Sequence, residues 1–370
     1  MDPLNVAPIV EPLPKEMNTY YSGWLAVGPT LGSLHDGKMM LSHTRRITYY
    51  HYVFDRHTRA YARLVPGIVL NKELEMPSKP QHNAISKLDQ FLLSKLSDVS
   101  SGTNRVATLI HQYESNRGKE IKANLAAEPH PSPSRAVRTT STACPVVLVA
   151  HLARSKTLER VCVSSGFRVE TNRGDPCFIT CAHTLEELRS TKLVDGPRTA
   201  SNTLIMTNDG RILEASGCPS SLPRHDLLVL HSKPGVDLPT LPVSPYPAPI
   251  GTEVAIHCLH ENPLPDEGWT PAFGGLIYRK WFHGHITDYR DFAGNQAKPG
   301  TYDVLANVFF SQIPTPGSSG GPIIDIQTGA VVGTIRGSQL DNRLTGIRGW
   351  GTSAESIYEM FVLPGIHLHD

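Results

Sequence analysis

Three short segments of the sequence carry side chains that together could perform nucleophilic chemistry. The segment TPGSSGGPII at 315–324 places Ser319 among small residues, directly before an apolar run. The segment CFITCAH ends in His183, and HDLLVL contains Asp226. A serine hydroxyl attacks a carbonyl carbon when a histidine takes its proton and a carboxylate holds that histidine in one tautomer. These residue types therefore predict a nucleophile, a general base and an orienting carboxylate.

The small residues around Ser319 have a second use in this chemistry. Acyl transfer needs backbone N–H groups that point at the developing oxyanion. Because glycine adopts positive φ values at little cost, Gly317 can aim its N–H inward. The sequence thus predicts an oxyanion hole within the turn at 317–322. A flexible Gly/Ser linker is the alternative interpretation, but Ile323 and Ile324 follow at once, which favours a turn before a buried strand.

These residues lie in a β-rich part of the chain, 144–370. About ten short β-prone runs occur there, separated by Gly, Pro, Asn and Asp, with little helix between them. A proline-rich break at 232–251 divides the runs into two units, at about 144–235 and 245–360. This pattern predicts a mainly β fold of sandwiches or barrels.

The first 127 residues have a different texture and no assigned role. RITYYHYVFD at 46–55 predicts one or two short strands. A helical hairpin is predicted from apolar residues at helical spacing behind a cap at Asn83: Ile85, Leu88, Leu92, Leu96 and Val99, then Val106, Leu109, Ile110 and Tyr113. Segment 128–143, rich in Pro, Ser and Thr, is predicted to be a linker.

Taken in order, the motifs resemble the trypsin-fold serine proteases, in their HtrA-type branch, over about 144–360. Gly-x-Ser-Gly-Gly-Pro is that family's nucleophile motif, Thr-x-Ala-His ends in its histidine, and SSGFRVE, TNDGRILEA and WGTSAESI resemble its supporting strands. The resemblance implies two six-stranded antiparallel barrels and a serine endopeptidase with His183, Asp226 and Ser319 as its triad. It also implies that the N–H groups of Gly317 and Ser319 form the oxyanion hole. No segment of the size of a PDZ domain follows Ser319.

The resemblance also assigns a specificity pocket to Ile313, Arg336 and Ser338. Ile313 lies six residues before the catalytic serine, where trypsin-like relatives keep the residue at the pocket floor. It has no charge to pair with a cationic side chain, so we expect cleavage after small or medium aliphatic residues. Ser318 stands where digestive relatives have an aspartate that pairs with a newly cut N-terminus. No activating cut is therefore expected.

The sequence also allows other interpretations. Asp209 is a second acid near the motifs, but NDGR is typical of a hairpin turn. Zinc ligation is an alternative role for His257, Cys258, His260, His283 and His285, but their spacing fits no standard site. A catalytically idle protease fold that serves as a binding or scaffold protein is the alternative function. An active protease gated by the N-terminal region is a third.

The net charge, hydropathy and cysteine content exclude several other classes of protein. The net charge of +1 gives no general attraction to nucleic acid or anionic membranes, and no apolar run approaches the ~18 residues of a membrane helix. The N-terminus lacks the pattern of a secretory signal, and the six scattered cysteines are expected to be reduced thiols. We expect a cytoplasmic or nuclear protein with a polypeptide substrate and no cofactor or metal. A homo-oligomer is left open.

Overall fold

The structure is a computed structural model of two compact units, Met1–Ile85 and Ser86–Asp370. It describes residues 34–35, 38–39, 86–98, 105–125, 144–191, 193, 199–233, 238–342 and 346–363. In the first unit, β1 (Leu34–His35) and β2 (Lys38–Met39) form an antiparallel pair. The strands predicted at 46–55 lie outside the described residues.

The second unit consists mostly of strands. In chain order its elements are α1 (Lys87–Asp98), α2 (Arg105–Ser115), β3 (Ile121–Asn124), β4 (Val146–Arg154), β5 (Glu159–Val169), β6 (Cys177–Cys181), α3 (His183–Arg189), β7 (Ala200–Met206), β8 (Ile212–Leu222), β9 (Leu227–Ser232), β10 (Glu253–His260), β11 (Thr270–Ala272), β12 (Ile277–Arg290), β13 (Asn307–Phe310), β14 (Pro322–Asp325), β15 (Val331–Asn342), β16 (Gly346–Ser353), α4 (Glu355–Tyr358) and β17 (Phe361–Val362). A 3₁₀ turn, Pro223–His225, precedes β9.

The first barrel closes in the antiparallel order β4-β5-β6-β9-β8-β7. Strand β4 is apolar on both faces, and alternate side chains of a strand point to opposite faces. Val147 and Val149 on one face of β4 share a core with Phe178 of β6 and Leu230 of β9. The other face, with Leu148 and Leu152, packs against α1. Cover on both sides explains why this strand reads as a continuous apolar run.

The second barrel is formed by β10, β14, β15, β16, β13 and β12, and pairing of β12 with β10 closes it. Strand β11 adds to β12 outside this ring. The prediction of a mainly β fold with two six-stranded antiparallel barrels is therefore confirmed.

The two N-terminal helices pack on the first barrel, but they do not share one core. Helix α1 joins the core outside β4, whereas α2 joins the core that contains Phe178 and Leu230. Ser86 caps α1, because its Oγ accepts the N–H of Asp89 at 3.0 Å; the predicted cap, Asn83, lies outside the described residues. None of the described helices has the length and hydropathy needed to cross a membrane.

The segment after α2 is tied to the end of the chain. Strand β3 pairs in parallel with β17, and the N–H of Ile121 donates to the carbonyl of Met360 at 2.9 Å. In the structure α1, α2 and β3 thus belong to the same compact unit as the barrels, whereas the sequence grouped them with residues 1–127. The predicted linker, 128–143, lies outside the described residues.

Candidate active site

Pairing of β6 with β9 brings the candidate base and carboxylate together. Cys181 lies opposite Leu227 in this pair; His183 begins the helix after β6, and Asp226 stands directly before β9. The Nδ1 atom of His183 is 2.7 Å from Oδ2 of Asp226. Oδ1 of the same carboxylate accepts the backbone N–H groups of His183 at 2.8 Å and Ala182 at 3.0 Å. Nδ1–H is therefore the donor to Asp226, which leaves Nε2 as the basic nitrogen.

Electrostatics of this pair favour the charged form of both partners. Burial by itself would lower the pKa of His183, but the negative charge and hydrogen bond of Asp226 outweigh it and raise that pKa well above 6.5. Burial likewise opposes ionisation of Asp226, yet its attraction to His183 and to Arg336 holds the pKa of the carboxyl below its usual range. The Asp226 side chain is 8% exposed, whereas that of His183 is 39% exposed and open to a substrate.

The turn before the candidate nucleophile has the geometry that its sequence demands. The N–H of Ser318 donates to the carbonyl of Thr315 at 3.1 Å, with Pro316 and Gly317 between them. Gly317 has φ +83°, as the third residue of a type II turn requires, and proline is favoured before it. Within the described part of the chain, the N–H groups of Gly317 and Ser319 have no intramolecular acceptor. They are free to bind an oxyanion.

Packing against the first barrel fixes this turn. The Ser165 hydroxyl donates to the carbonyl of Gly317 at 2.9 Å, and the backbone N–H of Ser165 donates to the carbonyl of Ser319 at 2.8 Å. Gly320 has φ +79°, and a Cβ there would overlap the Ser165 carbonyl oxygen and lie 2.5 Å from the Cys181 nitrogen. A glycine is thus required at 320, both for its backbone conformation and for its close contacts.

The Ser319 hydroxyl lies beside a backbone carbonyl. Its Oγ donates to the carbonyl oxygen of Arg336 at 3.0 Å. Among the hydrogen bonds of the described residues, none joins this hydroxyl to His183. Nε2 of His183 lies 3.8 Å from Sγ of Cys181 instead. A serine hydroxyl has one proton, so Ser319 can donate a hydrogen bond to His183 only after its bond to the Arg336 carbonyl is broken.

The arginine of the predicted specificity pocket faces the candidate carboxylate. Nε of Arg336 lies 3.6 Å from Oδ2 of Asp226, its Nη1 donates to Oδ1 of Asn307 at 3.2 Å, and its guanidinium carbon is 4.2 Å from the centre of the Trp350 ring. Ile313 is 54% exposed, and Ser338 is half-buried on β15. The assignment of these three residues to a specificity pocket stays a prediction.

The alternative acid stands in a solvent-exposed turn. Asp209 lies in the hairpin between β7 and β8, where its carboxylate accepts hydrogen bonds from Thr207 and from Nε of Arg211. These contacts are the turn chemistry expected from NDGR.

The candidate zinc ligands, which all lie among the described residues, do not form a metal-binding cluster there. The six cysteines are all buried and none is bonded to another. In the part of the chain that the structure describes, no three His, Cys, Asp or Glu residues converge in a way that could hold a metal ion. His257, one of the candidate zinc ligands, packs its ring edge-on against Trp281 at 5.0 Å.

The part of the chain that contains this site matches a known protein family. Residues 164–333, which run from β5 into β15 and include the three candidate catalytic residues, match the family model of the trypsin-like peptidase domain. A search of curated protein sequences found no match. Among solved structures, the chain is similar to the Rv3671c protease from M. tuberculosis in its active form, with 20% identity over 64% of this chain and 88% of that chain and a TM-score of 0.40. It is also similar to the MamO protease domain from Magnetospirillum magneticum in its apo form, with 16% identity over 63% and 99% of the two chains and a TM-score of 0.38. Over residues 164–333, the chain is therefore similar to the trypsin-like peptidase domain.

Proposed function

We propose that the protein is a serine endopeptidase that hydrolyses peptide bonds through an acyl-enzyme. Ser319 is the nucleophile, His183 the general base and Asp226 the carboxylate that orients it. The observation that carries the proposal is the 2.7 Å contact between His183 and Asp226, on the barrel that also holds the turn of Ser319. The match of this region to the trypsin-like peptidase domain supports the same assignment.

The first half of the reaction forms the acyl-enzyme. Ser319 Oγ leaves the carbonyl of Arg336, turns toward Nε2 of His183 and attacks the substrate carbonyl carbon while Nε2 takes its proton. The carbonyl π electrons move onto oxygen, and the N–H groups of Gly317 and Ser319 donate to the resulting oxyanion. The oxyanion then collapses and the C–N bond breaks. Nε2 returns the proton to the departing amine.

The second half releases the product acid. Water takes the place of the amine and gives a proton to Nε2 of His183 as its oxygen attacks the acyl carbon. The new oxyanion is held by the same two N–H groups. When it collapses, the ester bond to Ser319 breaks and Nε2 protonates the serine oxygen. Asp226 keeps its charge throughout and stabilises the imidazolium in both halves.

A second candidate function is a catalytically idle protease fold that binds a polypeptide. The specific observation in its favour is the hydrogen bond from Ser319 Oγ to the carbonyl of Arg336, since no described hydrogen bond joins the serine to His183. In this alternative the serine hydroxyl stays on that carbonyl and is not activated.

Covalent labelling with a fluorophosphonate probe separates the two functions, because only an activated serine reacts. We expect the full-length protein to be labelled and Ser319→Ala to lose labelling with an unchanged circular dichroism spectrum. Ser244→Ala, which removes an exposed serine hydroxyl outside the site, is the matched control and should label like the wild type. A folded wild-type protein that never labels supports the idle fold. Labelling that persists in Ser319→Ala contradicts the assignment of the nucleophile.

A further inference from the structure

The Asp226 carboxylate has a charged neighbour besides His183. Oδ2 accepts the imidazole Nδ1–H at 2.7 Å and also lies 3.6 Å from Nε of Arg336. The N–H groups of Ala182 and His183 occupy Oδ1. One oxygen of a carboxylate that is 8% exposed is thus shared between the candidate base and a permanent cation.

The backbone and two side chains hold Arg336 at this place. The pairing of β15 with β16 shifts register between Ile335 and Gly337, so Arg336 is the bulged residue, and bulges re-aim side chains. Its guanidinium stacks on Trp350 and donates to Asn307. Its Nε is buried and has no hydrogen-bond partner among the described residues, which leaves Asp226 as the charge beside it.

We propose that Arg336 is a positioning residue that restrains the Asp226 carboxylate and, through its fixed positive charge, opposes protonation of His183. The inference rests on the proposed function, because it matters to catalysis only if His183 is the general base. A base bound to an isolated buried carboxylate would hold its proton too firmly. A cation on the far side of that carboxylate offsets part of the attraction and keeps more of the imidazole neutral.

Several other titratable groups surround His183 and must be considered with Arg336. They are His225 beside Asp226, Cys181 on β6, His151 on β4, and Glu186 of α3 with Tyr113 of α2. Burial lowers the pKa of His151 to about 3, and burial with nearby arginines lowers that of His225 to about 4, so both are neutral at pH 7. Burial and Glu186 raise the pKa of Tyr113, which is also neutral. Among all these neighbours of His183, including Asp226, Arg336 is the group that carries a permanent positive charge.

Removal of this charge should be visible in the titration of His183 itself. A unit charge within a few ångströms of a buried ion pair shifts its partner's titration by about one pH unit or more. We therefore expect the titration midpoint of His183 to rise by about one unit in Arg336→Gln. In Arg336→Lys, which keeps the charge but not the planar stack on Trp350, we expect less than half of that rise.

The experiment measures the ¹³Cε1–¹Hε1 signals of the histidines by NMR against pH in the full chain. The signal of His183 is assigned as the one that disappears in His183→Gln. Arg211→Gln is the matched control, because it removes an arginine charge from the exposed hairpin turn at Asp209 and should leave the midpoint unchanged. Thermal unfolding reports whether each variant is folded. If Arg336→Gln does not fold, the proposal is tested on Arg336→Lys instead.

The NMR result does not depend on activity, so the two proposals fail separately. An unchanged midpoint in folded Arg336→Gln overturns the role of Arg336, even if the protein labels with a fluorophosphonate. Equal upward shifts in the glutamine and lysine variants also overturn it, since packing and not charge would then be responsible. A shift in the glutamine variant alone, in a protein that never labels, supports the electrostatic role and contradicts the proposed function. If both hold, the acidic limb of the labelling rate should move with the NMR midpoint.

Discussion

Asp226 binds His183 twice: Oδ2 accepts the ring Nδ1–H at 2.7 Å, and Oδ1 accepts the backbone N–H of the same residue at 2.8 Å. The carboxylate therefore fixes the position of the first residue of α3 as well as the tautomer of its ring. Asp226 itself has φ +57°, a left-handed conformation that aspartate tolerates better than most residues. A carboxylate with two fixed oxygens and a strained backbone is typical of a site that positions another group.

Replacement of this carboxylate should abolish most of the activity while the fold survives. Asp226→Asn keeps an oxygen for the backbone N–H groups but can present an amide N–H to the ring, which favours the wrong tautomer. We expect the rate of fluorophosphonate labelling to fall by about 10⁴. Asp209→Asn, at the competing acid in the exposed turn, is the control and should label at the wild-type rate. A larger loss from Asp209→Asn than from Asp226→Asn would reverse the assignment.

The same pair should leave a signature in the pH dependence of stability. The folded-state pKa of Asp226 is depressed, so its stabilisation is present above the unfolded value of about 3.9 and is lost as the pH falls through the folded value. The pKa of His183 is raised, so its stabilisation is complete below about 6.5 and is lost as the pH rises through the folded value. We expect the difference in free energy of unfolding between wild type and Asp226→Asn to be greatest from about pH 4 to 6.5. Urea titrations at several pH values test this, and a flat difference would contradict it.

Short motifs predicted that His183 and Asp226 would lie together, because each of these side chains stands beside the end of a strand. His183 follows β6 and Asp226 precedes β9, so local sequence and the strand pattern together determine their separation. Contacts that depend on distant pairing could not be predicted in this way. The approach of Arg336 to Asp226 arises from a bulge in β15, which the sequence pattern does not reveal. The apolar spacing of α2 predicted a helix, but periodicity does not identify the surface that covers its apolar side chains.

Packing of α2 makes a further prediction about where the folding unit that contains the barrels begins. Four apolar side chains of this helix are buried in the core of the first barrel: Val106, Leu109, Ile110 and Tyr113. Their exposure would cost on the order of 10 kcal/mol, which is comparable with the whole stability of a domain. We expect a chain of residues 86–370 to unfold cooperatively like the full-length protein, and a chain of 144–370 to be unfolded or insoluble. A stable, labelling-competent 144–370 would show that α2 is dispensable.

Replacement of Gly320 should cost more stability than replacement of a glycine with a similar backbone conformation in an open loop. Gly294 has φ +84°, and a Cβ there meets nothing within 4 Å, so Gly294→Ala should cost only the ~1–2 kcal/mol of a left-handed residue. Gly320→Ala carries the same strain and also drives a Cβ into the backbone of Ser165 and Cys181, which adds about 1–3 kcal/mol. Urea unfolding of both variants measures the difference. Equal losses of stability would mean that the turn around Ser319 shifts enough to accommodate a Cβ at position 320.

The last prediction is that the protein needs no cut to form its oxyanion hole. Ser318 is fully buried; its Oγ lies 3.0 Å from Thr315 Oγ1 and accepts the N–H of Leu259 at 3.4 Å. The position beside the nucleophile therefore carries no charge, and an inserted ammonium group would be buried without a counter-ion, at a cost of several kcal/mol.

Hydrogen bonds and packing hold the turn instead, and the N–H groups of Gly317 and Ser319 already have no acceptor among the described residues. We expect full-length protein, verified as uncut by mass spectrometry, to label with a fluorophosphonate probe. Addition of a protease that cuts between residues 128 and 145 should then increase labelling by less than about twofold, because a new N-terminus finds no carboxylate at 318. Labelling confined to cut material, together with a silent variant in which that cut is blocked, would show that the first 127 residues inhibit the site by another route.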